Sequence, residues 1–164
     1  MSYTWSDVLV LAGDLPSLEV LQAHNNKIDQ IDEIDNNKLR RITKIDLDGN
    51  NISSWTSINR LARLPCLEVL HLNGNSIADI RVEEGSFASL THLQMSYNKV
   101  SDWASVGELD KTGITELRMR CNPVCDSVTA ETSRQLFIAR WDLILTHILG
   151  RLPKFFYYNQ GLDL

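Results

Sequence analysis

The side chains best equipped for metal or nucleophilic chemistry in this 164-residue chain are four histidines and three cysteines. A tetrahedral zinc site takes three or four ligands, typically imidazole nitrogen, thiolate and carboxylate. His24, His71 and His92 recur at spacings that a repeating fold can bring to one surface. No carboxylate or thiol is clearly placed beside the His71 and His92 pair by spacing alone. Cys121 and Cys125 straddle an Asn-Pro step without a second ligand pair, so they read as reduced thiols. With Cys66 they form an odd, sparse set, which argues against a disulfide framework and for a reducing compartment. A nucleophile with base and orienting group, a phosphate-cradling glycine loop and an H-E-x-x-H pair are all missing. The expectation is therefore a protein that is no enzyme, with no catalytic, cofactor-binding or metal residues. The acidic stretch Asp29, Asp32, Glu33 and Asp35 reads as a solvated connection.

What would position these residues is a repeat. On the pattern L-x-x-L-x-L-x-x-N-x-I, first positions fall at 18, 42, 67, 90 and 114, in steps of 24, 25, 23 and 24. The fourth slot holds Leu21, Ile45, Leu70, Leu93 and Leu117; the sixth holds Ala23, Leu47, Leu72, Met95 and Met119. The ninth is always asparagine (Asn26, Asn50, Asn75, Asn98, Asn122), and the eleventh is Ile28, Ile52, Ile77, Val100 and Val124. In a strand, positions 4 and 6 share the inward face and 5 points outward. An inward asparagine amide can satisfy backbone groups left unpaired where the chain turns from the strand. Five copies define a leucine-rich repeat. The predicted fold is an α/β right-handed solenoid with a parallel concave sheet, short convex helices and a C-terminal capping helix. Three residues past the eleventh slot lie Ile31, Trp55, Ile80 and Trp103, with Trp5 in the same register of an earlier half-repeat. These are read as core fillers under the convex wall, with Ser54 and Asp102 as helix N-caps.

Composition agrees with one ordinary domain, at 43% hydrophobic and 23% charged. A net charge of −5 argues against a nucleic-acid or anionic-membrane binder, and no apolar run is long enough to span a bilayer. The organisation predicted is repeats over 1–125, a helical cap over 126–150, and an aromatic tail over 151–164 containing Phe155, Phe156, Tyr157 and Tyr158. Residues 1–17 hold only a convex half-repeat without a polar cap, which points to one region of a longer protein with further repeats upstream.

The concave wall is the natural binding surface of such a solenoid. Its fifth slot reads Gln22, Asp46, His71, Gln94, Arg118 and its seventh His24, Asp48, Asn73, Ser96, Arg120, running from acidic to basic. That gradient can orient a protein partner. Lys44, Asp46, Asp48, His71, His92, Tyr97, Arg118 and Arg120 are the predicted partner-binding residues.

The variable slots go further than the generic repeat. YTWSDVLVLAGDLPSLEVLQAHNNKI (3–28), FASLTHLQMSYNKVSDWASVGELDKTGITELRMRCNP (87–123) and ETSRQLFIAR (131–140) together resemble the leucine-rich-repeat region of tubulin-folding cofactor E and its cofactor-E-like relatives. The resemblance implies a chaperone, cytoplasmic or associated with the cytoskeleton and microtubules. It would bind α-tubulin and act with other tubulin-folding cofactors in assembly or dissociation of the tubulin heterodimer. It also implies flanking CAP-Gly and ubiquitin-like domains, neither visible here. No nucleic acid, membrane or cofactor is implied. The alternative is another cytosolic leucine-rich-repeat adaptor or scaffold of phosphatase-regulatory or axonemal type.

Overall fold

A computed structural model describes residues 2–35 and 38–126. Five three-residue strands, β1 (Val20–Gln22), β2 (Lys44–Asp46), β3 (Val69–His71), β4 (His92–Gln94) and β5 (Glu116–Arg118), form one parallel sheet in chain order. Register is strict: the fourth-slot residues Leu21, Ile45, Leu70, Leu93 and Leu117 stand opposite one another along the whole sheet. The repeat steps predicted this, because equal slots must stack if each coil is to bury the same face.

The inward slots form one continuous core. Ile45, Leu47, Leu70, Leu72, Leu93 and Met95 are buried, as are Ile28, Ile52, Ile77, Val100 and Val124. Leu18 and Leu21 of the first coil are only partly buried, since β1 has a sheet neighbour on one side alone among the described residues. Leu11, Leu15, Leu18 and Leu21 line an open apolar hollow at that end.

The asparagine slot behaves as its chemistry predicts, and it also joins coils. Asn75 Oδ1 accepts the Ile52 amide of the coil before it at 3.0 Å. Its Nδ2 donates to Leu47 O of that coil and to Leu72 O of its own, at 3.0 and 3.1 Å. Asn50, Asn98 and Asn122 repeat the pattern on Ile28, Ile77 and Val100. Even Asn26 accepts the amide of Tyr3 at 3.0 Å, so the first segment is tied in by the same bond. Each amide saturates backbone groups that the turn would otherwise bury without partners.

The convex wall is built from α1 (Trp5–Gly13), α2 (Trp55–Ile58) and α3 (Trp103–Gly107), the last two continuing as 3-10 turns over Asn59–Arg63 and Glu108–Lys111. Thr4 and Asp7 make a reciprocal capping box on α1, and the Asp102 side chain accepts from the Ala104 amide at 3.1 Å. Ser54 occupies the N-cap position of α2, but its side chain makes no cap bond. Trp5, Trp55, Ile31 and Ile80 are buried as expected, while Trp103 is partly buried against the core. The indole N–H groups of Trp5 and Trp55 are buried without an acceptor, a cost that the burial of the large rings must offset. Ser57 and Ser105, two residues after a register tryptophan, accept the Ile31 and Ile80 amides through Oγ.

The Asp29–Asp35 connection departs from a purely solvated reading. Asp32 accepts from Ser6 Oγ at 2.9 Å, and Glu33 pairs with Arg63 at 3.0 Å. After β5, α4 (Pro123–Asp126) begins with proline at its first position, where the missing N–H costs nothing. The predicted cap over 126–150, apart from Asp126, and the tail over 151–164 lie outside the described residues.

Candidate protein-binding face

Outward side chains on the sheet alternate with the buried slots, so slots 3, 5 and 7 share the concave surface. Slot 3, read from the strands, holds Val20, Lys44, Val69, His92 and Glu116. All eight residues predicted for partner binding come to this face or its rim, and none of them is buried. His71 stands opposite Gln94 and His92 opposite Val69, which makes the two histidines diagonal neighbours.

Carboxylates do join these histidines, contrary to the reading by spacing. At one end of the sheet, ligand atoms of Asp46, Asp48 and His71 lie within 4.8 Å of one another, and His24 Nδ1 lies 3.5 Å from Asp46 Oδ2. At the other end His92 Nε2 is 3.3 Å from Glu116 Oε2. Strict parallel register brings each histidine against an acid on the adjacent strand, because Asp46 stands opposite His71 and His92 opposite Glu116.

Glu116 is the residue sequence reasoning missed. Its Oε1 also accepts from Arg118, at 3.0 Å from Nε and 2.8 Å from Nη2. The basic end of the gradient is thus partly neutralised inside the fold, at Arg118. Writing out slot 3 alongside slots 5 and 7 is the signal that would have found it.

A second polar ladder crosses the wall at slot 7. Asp48 Oδ1 and Oδ2 accept from the Asn73 amide and Nδ2 at 2.7 and 2.9 Å. Asn73 Oδ1 accepts from the Ser96 amide at 2.8 Å. Asp48 therefore orients its neighbours as well as facing solvent. The His71 imidazole is pushed below its ordinary value, first by burial and then by Lys44, against the opposing pull of Asp48 and Asp46. It is neutral at pH 7.

Slot 8 is left-handed in every coil: Asn25, Gly49, Gly74, Tyr97 and Cys121 have φ between 54° and 65°. Glycine and asparagine tolerate that region; tyrosine and cysteine do so at a cost. Tyr97 is nonetheless 56% exposed on the rim, with the Arg120 guanidinium 5.9 Å from its ring centroid. An exposed aromatic ring beside a guanidinium is the composition of an interface anchor.

A leucine-rich-repeat family model, described as "Leucine Rich repeat", matches residues 88–102. Tubulin-folding cofactor E of Arabidopsis thaliana is 32% identical over 151 residues, covering 84% of this chain. The chain is similar to the leucine-rich-repeat region of tubulin-folding cofactor E. Tubulin-specific chaperone E of Xenopus laevis is 31% identical over 83% of the chain, and that of Homo sapiens 30% over 83%. The matched segment spans 28% of the Arabidopsis relative's length and 27% of the other two. No helix among the described residues is long and apolar enough to cross a membrane.

Proposed function

We propose that this chain is the non-catalytic protein-binding module of a cytoplasmic tubulin-folding cofactor. Its partner is α-tubulin, bound during assembly or dissociation of the tubulin heterodimer in concert with other tubulin-folding cofactors. The observation that carries this reading is the likeness, over 84% of the chain, to a protein named for tubulin folding. The concave wall is the contact surface: Lys44, Asp46, Asp48 and His71 toward its acidic end, and His92, Tyr97, Arg118 and Arg120 toward its basic end. Electrostatic complementarity along such a gradient fixes the orientation of a partner and speeds its capture. Tyr97 with Arg120 supplies the anchor.

The test is retention of purified α- and β-tubulin by the full-length parent protein, with and without Arg118→Glu and Arg120→Glu together. Retention of α-tubulin that the double charge reversal weakens at least tenfold supports the proposal. Failure of the unaltered parent to retain α-tubulin removes it. Retention unchanged by the reversal moves the contact off this wall.

A further inference from the structure

We propose that Asp46, Asp48 and His71 form a binding site for a borderline divalent cation of the zinc type on the concave wall. The three belong to adjacent coils, Asp46 and His71 directly opposite in register and Asp48 two residues beyond Asp46 on the same face. One ligand atom from each lies within 4.8 Å of the other two. Tetrahedral zinc with ligands near 2.0 Å holds them about 3.3 Å apart, a separation reached by small side-chain rotations. His24, whose Nδ1 is 3.5 Å from Asp46 Oδ2, is the nearest further imidazole. The site thus offers three protein ligands.

The donor set selects the class of ion. Mixed imidazole nitrogen and carboxylate oxygen suits zinc and its first-row neighbours, whereas calcium and magnesium prefer all-oxygen shells. Two carboxylates match the charge of a divalent cation. Both acids are also oriented by hydrogen bonds from neighbouring groups. Asp48 accepts from the backbone and side chain of Asn73, and Asp46 Oδ1 accepts from the Asp48 amide at 3.0 Å. Lys44 and Arg118 face the His71 imidazole and oppose a cation, while Asp46 and Asp48 favour it.

The experiment is calorimetric titration of the intact chain with zinc chloride at pH 7.5 after removal of metal with EDTA, repeated with cobalt(II) and visible spectroscopy. His71→Gln and Asp46→Asn are compared with the wild type and with His92→Gln, each checked for folding by circular dichroism. The expected result is one saturable equivalent, weakened at least tenfold by either site substitution and unchanged in His92→Gln. The cobalt spectrum then lacks a thiolate charge-transfer band. No saturable uptake by the folded wild type, equal affinity in both site variants, or a thiolate band assigning the ion to Cys121 and Cys125 would overturn the proposal.

Discussion

At the scale of single residues, the side chains that matter most for stability are those that saturate the backbone of two coils at once. Asn75 accepts one buried amide and donates to two carbonyls from adjacent coils. Asn75→Ala leaves these groups without partners, each worth about 1–3 kcal/mol. The substitution is expected to destabilise about as much as Leu70→Ala, for which a core cavity costs about 2–5 kcal/mol. Asn26→Ala, at the partly exposed first coil, is expected to cost less, because water can replace the lost amide. Urea unfolding of the three variants checks the order. His71 predicts a pH dependence of definite sign. Its basicity is lowered in the fold, so below the ordinary histidine value of about 6.5 the unfolded chain takes up a proton that the native chain refuses. His71 therefore contributes a loss of stability as pH falls from about 6.5 toward its folded value. Unfolding midpoints measured in EDTA from pH 7.5 to 5.5 are expected to fall less steeply in His71→Gln than in the wild type.

At the scale of elements, the convex helices are short and rely on their ends. Thr4 shares two reciprocal bonds with Asp7, while the Ser54 side chain caps nothing. Thr4→Ala is expected to cost about 0.5–2 kcal/mol, and Ser54→Ala to fall within about 0.5 kcal/mol of the wild type. Thermal melts of the two variants separate these outcomes. The same scale shows where reading the residues succeeded. The leucine, isoleucine and asparagine slots are legible because burial admits few residue types, so the five strands and the core follow from spacing alone. Glu116 and the acid partners of the histidines were not legible in that way. They depend on which exposed side chain stands directly opposite across a strand boundary, which emerges only when the outward slots of adjacent coils are written side by side. The left-handed eighth slot was half visible in Gly49 and Gly74, but Tyr97 and Cys121 mask it, since neither residue type signals positive φ.

At the scale of the whole molecule, stacking makes the coils interdependent. Each strand pair crosses a coil boundary, as does at least one bond of each asparagine from Asn50 to Asn122, so every coil is completed by its neighbours. The resulting sheet carries acids at one end, a Glu116-tied basic group at the other, and an exposed ring beneath a guanidinium on its rim. That arrangement, joined to the likeness to tubulin-folding cofactor E, is what the proposed protein-binding role rests on. Hydrogen–deuterium exchange of the full-length parent protein, alone and with the αβ-tubulin heterodimer, tests this most directly. The account predicts slowed exchange on binding in the concave segments around 44–48, 69–73, 92–97 and 116–120, with the convex segments 55–63 and 103–111 unchanged. Protection confined to the convex segments, with the concave strands unaffected, would contradict it.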